Sequence, residues 1–213
     1  MNNSKNEKIF KKVNYPEYKG MYDEDIKARM ETAPENIDIE TMRASLYGYT
    51  FTKEYANGKI PDELSMDYWE ERNLEIGFEN PNFEDCEIPD GSKYIRTFNN
   101  IDSLLEDVDD SPYFCVSSQE KLLLEAIDST GDGNTPETAL CVIDVHQEYE
   151  YIQRVVRLSV LQLVKQSVKN GIDCLELEDY DGRIEKVYFD ISRRFEVGYL
   201  NQSTTLSSDT EGT

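Results

Sequence analysis

The stretch SSQEKLLLEAIDSTGDGNTPETALCVIDV, residues 117–145, decides the reading of the fold. Ser117, with Glu120 three residues on, forms a capping box: the hydroxyl takes a backbone amide at the third helical position and the carboxylate reaches back to the cap amide. Leu122, Leu123, Ala126 and Ile127 follow at helical spacing, and Gly131 offers the positive-φ residue that commonly ends a helix. Pro136 cannot donate to a strand ladder, so regular pairing is expected to begin after it, over residues 139–145. That run is apolar on both faces, as in a central or covered strand.

Working outward, Asp144 with Gln147 three residues later marks a second helix start near His146, with Tyr149 and Ile152 turned inward. In residues 158–169, Leu158, Val160, Val164 and Val168 alternate with more polar neighbours, which predicts a strand. Asp181-Gly182 is a turn signal between strands at about 172–177 and 184–191, where Val187, Phe189 and Ile191 share a face. Upstream, Asp38 is an N-cap for a helix with Ile39, Met42, Leu46 and Tyr49 on one face, preceded by a helix over about residues 23–31. Asn100 is a cap for a short helix bearing Ile101, Leu104, Leu105 and Val108. The expectation is an α+β protein: N-terminal helices followed by a small, mainly antiparallel β-sheet with one or two packed helices. Its parts are a polar arm (1–15), a helical and acidic portion (16–116), the sheet portion (117–195) and a flexible tail (196–213).

The phrase Ser129-Thr130-Gly131-Asp132-Gly133-Asn134-Thr135-Pro136-Glu137-Thr138-Ala139, followed by a strand and His146-Gln147-Glu148-Tyr149, resembles a domain of unknown function widespread in gut bacteria. The likeness extends to residues 173–177 and 184–191, and more faintly to residues 42–55 with Leu46-Tyr47-Gly48-Tyr49. The resemblance implies an N-terminal helical portion leading into a small sheet domain, and it transfers no catalytic residue. Members of that family often carry an export signal and a longer helical middle, from which this sequence departs.

Charge bounds the function. Across 213 residues, 44 Asp and Glu oppose 22 Lys and Arg, a net charge of −22 with a pI near 4.3. Such a surface repels nucleic-acid phosphates and anionic membranes, so general nucleic-acid or membrane binding is not expected. Residues 62–112 hold sixteen acids against Arg72, Lys93 and Arg96, yet they include Trp69, Phe78, Phe83, Tyr94 and Phe98. A solvating tail holds few aromatics, whereas aromatic anchors in an acidic field suit a basic protein patch. The competing reading is a soluble face whose aromatics point into the core. Residues 152–172 lack acids and carry Arg154, Arg157, Lys165 and Lys169, cations expected to meet the protein's own carboxylates. With no apolar run of signal or membrane length, the protein is expected in the cytoplasm. Cys86, Cys115, Cys141 and Cys174 lie roughly thirty residues apart without Cys-x-x-Cys spacing, as reduced core thiols would.

Few residues are candidates for site chemistry. Taking Asp128 as the first residue of an EF-hand loop places Gly133 sixth but Ala139 twelfth, where the bidentate Glu belongs, so the turn is structural. His146, the one histidine, must serve any His-dependent mechanism, and it could share metal ligation with Asp144; a helix-entry histidine beside a capping aspartate is the commoner explanation. No cofactor, metal site or catalytic residue is assigned. The expected function is a non-enzymatic acidic binding protein for a basic partner, of the immunity or inhibitor kind. Its contact residues would be Asp67, Trp69, Glu70, Glu71, Glu84, Asp85, Asp107, Asp109 and Asp110. The alternatives are a structural subunit of a cellular or phage assembly and a His146-dependent hydrolase or metal enzyme.

Overall fold

In a computed structural model of the chain, residues 10–75, 116–155, 162–178 and 182–198 are described. The N-terminal half supplies α1 (Ile26–Thr32), α2 (Ile39–Tyr49), α3 (Lys53–Ala56) and α4 (Met66–Glu75). Then come α5 (Ser118–Asp128), β1 (Leu140–Cys141), α6 (Val145–Val155), β2 (Gln162–Lys169), β3 (Ile172–Glu178), β4 (Ile184–Asp190) and a terminal helix α7 over residues 192–198. The order across the sheet is β1-β4-β3-β2; β2–β3 and β3–β4 are antiparallel and β1–β4 is parallel. The fold is α+β, as the sequence indicates, with N-terminal helices ahead of a mainly antiparallel sheet.

The caps form as read. Ser117 and Glu120 close a complete capping box on α5, and Asp38 Oδ1 accepts the Thr41 amide 2.7 Å away at the start of α2. Met42, Leu46 and Tyr49 are buried, but Ile39, in the first turn, is 39% exposed. Leu175, Leu177, Val187, Phe189 and Ile191 make the covered face of the hairpin. They join α2 and α5 residues, among them Met42, Leu46, Leu123 and Ile127, in one hydrophobic cluster that crosses the boundary drawn at residue 116. Residues of the arm and tail take part too: Tyr15 packs on Tyr47 edge to face, and Val197 is buried at the end of α7.

Two expectations about the deciding stretch are corrected. The strand read over 139–145 pairs only at Leu140–Cys141, because α6 already begins at Val145. Of the two alternatives, central or covered, it is the covered one: among the described residues it is an edge strand, and side chains cover its outer groups. Cys141 donates its amide to Thr130 Oγ1 (2.8 Å), while Tyr47 and Tyr55 donate their hydroxyls to the carbonyls of Cys141 (3.0 Å) and Ile143 (2.6 Å). Every edge group so covered is removed from further pairing, and consecutive residues Ala139 to Ile143 are all buried, which is why the run can be apolar on both faces. Gly131 does not end α5 by a positive φ; the helix closes at Ser129 in the right-handed region. Its role is space, since a Cβ there would run into the Thr138 carbonyl and lie 2.7 Å from the Ala139 oxygen. Gly133, at φ +69°, is the residue with a conformational requirement.

In β2 the exposed valines Val164 and Val168 face away from the core, and Leu163 packs on it instead. A register irregularity between Leu163 and Lys165 shifts the alternation at that point. The start of the expected strand (158–161), the helix at Asn100, Arg157, Cys86 and Cys115 lie outside the described residues.

Candidate functional site

Helix α6 begins where Asp144 Oδ1 accepts the His146 amide (2.9 Å). Gln147 then reaches in two directions, accepting the Ile143 amide (3.1 Å) and donating to the Leu64 carbonyl (2.7 Å), which fixes the entry of α6 against the turn before α4. From that start, His146, Glu150 and Arg154 recur every fourth residue and share one face of the helix. Facing them, Ser65 accepts the Tyr68 amide at the head of α4 and donates its hydroxyl to Glu150 Oε1 (2.6 Å). Glu150 Oε1 also accepts the Asp67 amide (3.2 Å), so a carboxylate from α6 caps the N-terminus of α4, where helix-end amides favour negative charge.

Two linked groups result. In the first, His146 Nε2 lies 3.2 Å from Asp67 Oδ2 and 3.9 Å from Glu150 Oε1. The His146 side chain is 68% exposed and that of Glu150 only 1%. In the second, the buried Arg154 guanidinium meets Asp67 Oδ1 (2.7 Å), Glu70 Oε2 (2.8 Å) and Glu120 Oε1 (3.1 Å), tying α4, α5 and α6 together. Burial opposes the Arg154 cation, but the Glu120 hydrogen bond and the neighbouring carboxylate charges outweigh it, and its proton is held more tightly than usual. A cleft of about 250 Å³, lined by Ile60, Ser65, Tyr68, His146 and Glu150 among others, opens beside the cluster. Asp67, His146 and Glu150 each present one donor atom, all within 4.8 Å of one another, so these three could hold a metal ion.

The sequence-derived contact residues divide. Asp67 and Glu70 belong to this cluster and are partly neutralised by Arg154. Glu71 is exposed on α4. Trp69 is 1% exposed and donates its indole N–H to the Glu63 carbonyl (3.1 Å), so it anchors α4 in the core and cannot serve as a surface contact. Glu84, Asp85, Asp107, Asp109 and Asp110 lie outside the described residues. Asp144 is the capping aspartate beside a helix-entry histidine, the reading preferred from the sequence: it caps the His146 backbone and faces Arg194 Nε at 3.6 Å, while the imidazole turns to Asp67 and Glu150. Glu150 and Ser65 were missed. The four-residue spacing of His146, Glu150 and Arg154 is the signal that marks the face, but nothing local reveals that residue 67 meets residue 146.

The Gly-Asp-Gly turn is structural where it is seen. Asp132 Oδ1 accepts the Asn134 amide (3.0 Å) and the Thr138 hydroxyl (2.5 Å), and Asp128 Oδ1 accepts the Tyr151 hydroxyl (2.6 Å). Arg154 and Lys165 do meet the protein's own acids, Lys165 through Glu176 at 3.5 Å. Among the described residues no helix is long and apolar enough to cross a membrane.

Comparison with the curated proteins and with the solved structures gave no match. A family model matches from residue 94 to residue 198, a span that holds α5, α6 and the whole sheet, with His146, Glu150 and Arg154 inside it and Ser65 and Asp67 before it. The fainter likeness at residues 42–55 also falls before that span. Residues 94–198 match the model of a domain of unknown function, DUF4919, in keeping with the resemblance to an uncharacterised family.

Proposed function

We propose that the protein is a non-enzymatic acidic binding protein that engages a basic protein partner, in the manner of an immunity protein or an inhibitor. One observation supports it above the others: with 44 acids and 22 Lys and Arg, one-to-one pairing leaves half of the acids without a cation from this chain. A surface of that kind lowers its own electrostatic cost by meeting a positive patch, and it steers such a partner during approach. Residues 62–112, at a net −13, are the proposed contact region, with Asp62, Glu70 and Glu71 among its exposed members in the described residues. The experiment is a block replacement of acids in 62–112 by their amides, with partner affinity measured over a salt series. Weaker binding and a shallower salt dependence support the reading; unchanged affinity and slope would remove the region from the interface. Self-assembly, the alternative, is read from light scattering across a concentration range, where growth in mass with concentration favours a structural subunit.

A further inference from the structure

We propose that Asp67, His146 and Glu150 form a binding site for a divalent transition-metal ion of the Zn²⁺ class. The inference goes beyond partner binding and does not depend on it. The donor set is one imidazole nitrogen and two carboxylates, converging within 4.8 Å from the first turn of α4 and the first two turns of α6. Bonds of about 2.0–2.2 Å in a tetrahedral centre place ligand atoms roughly 3.3–3.6 Å apart. The separations found from His146 Nε2 are 3.2 Å to Asp67 and 3.9 Å to Glu150, and the two carboxylate atoms lie within 4.8 Å of each other, so an adjustment of the exposed imidazole together with the half-exposed Asp67 side chain is what coordination requires.

The second observation is Glu150 itself. The residue is 1% exposed, and while its Oε1 takes two hydrogen bonds, its Oε2 is buried with no hydrogen-bond partner among the described residues. A buried carboxylate with one oxygen left without a donor is costly, and a cation bound through Oε1, the oxygen that lies 3.9 Å from His146 Nε2, offsets the charge on that carboxylate. The surroundings hold the ligands in place: Arg154 fixes Asp67 through Oδ1 and leaves Oδ2 toward His146, and Ser65 fixes Glu150. Such outer hydrogen bonds orient metal ligands and tune their affinity. Charge agrees as well. Asp67, Glu70 and Glu120 share the Arg154 cation, Glu150 adds a further carboxylate beside His146, and a divalent ion offsets most of the surplus. The imidazole nitrogen favours Zn²⁺-type ions over Mg²⁺ and Ca²⁺, which prefer oxygen alone. The cleft beside the cluster leaves room for exogenous ligands on the ion.

The chain's one histidine makes the test direct, because it gives one set of imidazole proton resonances. Zn²⁺ is titrated into metal-free full-length protein, followed by calorimetry and by those resonances. The expected result is one equivalent bound, with the imidazole signals shifting and saturating at that stoichiometry. Asp67→Asn weakens binding at least about tenfold and His146→Ala removes the site, with the thermal transition of the metal-free His146→Ala variant, a change at an exposed side chain, unchanged from the parent. A Co²⁺ spectrum without a thiolate charge-transfer band separates this site from ions on the cysteines. Zn²⁺ binding that leaves the imidazole resonances in place, or that is as tight in either variant as in the parent, overturns the proposal.

Discussion

Replacing Glu148 by Gln makes the protein more stable at neutral pH and leaves it little changed near pH 4.5. Glu148 lies on α6, fully buried, and neither of its carboxylate oxygens has a donor among the described residues. Burial pushes its carboxyl up to about 9 from an ordinary 4.5, with the nearby Asp173 charge adding to the effect. Asp173 is itself held by Gln166 Nε2 at 2.6 Å. The folded protein therefore keeps a proton on Glu148 over a range in which the unfolded chain has lost it, so stability falls as pH rises from 4.5 and levels off only above about 9. Each pH unit inside that window costs about 1.4 kcal/mol, which accumulates to about 3 kcal/mol by pH 7. Gln has nearly the same shape, bears no charge, and its amide can donate to Asp173 as the protonated acid does. Urea unfolding of both proteins at several pH values between about 5 and 8 gives the difference directly, and the titrations they share cancel. The difference should grow with pH at a slope near 1.4 kcal/mol per unit. A difference that stays constant with pH, or a Glu148→Gln variant less stable at every pH, would refute the buried-proton account.

Other consequences of the packing can be read the same way. Arg154→Ala strands the buried Glu120 carboxylate, whose side chain is 6% exposed, and should cost about 3–5 kcal/mol in chemical denaturation. Gly131→Ala drives a methyl into the Thr138 carbonyl and should lose roughly 2 kcal/mol. Gly20→Ala, in open space at φ +77°, should lose only about 1 kcal/mol, and equal losses would contradict the steric argument. Tyr55→Phe leaves the buried Ile143 carbonyl without its donor and should lower stability by about 1–3 kcal/mol, measured against the parent by thermal or urea unfolding.

What could be read from the sequence was local. The Ser117–Glu120 box, the Asp38 cap and the hairpin face of Val187, Phe189 and Ile191 are written in neighbours a few residues apart, and each forms. The strand after Pro136 was overestimated because apolar periodicity cannot tell a paired residue from one buried beneath tyrosines sent from α2 and α3. Gly131 was assigned a dihedral role when its constraint is a carbonyl seven residues on that only the folded turn brings near. Trp69 illustrates the same limit: an aromatic in an acidic run reads equally as anchor or as core, and its Glu63 hydrogen bond decides for the core. The candidate site was half legible. His146 stood out as the chain's one histidine, and Arg154 as a cation in an acid-free run. Asp67 and Ser65 meet them across about eighty residues of chain, a pairing made by the packing of α4 on α6.

The partner-binding account is tested most directly by capturing the native protein from its own cells at low salt, washing with a rising salt gradient and identifying what elutes by mass spectrometry. The account predicts a single basic protein, bound in a fixed ratio and released between moderate and high salt, as charge screening weakens the contact. Recovery of the bait alone, or of partners with no positive surface and no salt dependence, would contradict it.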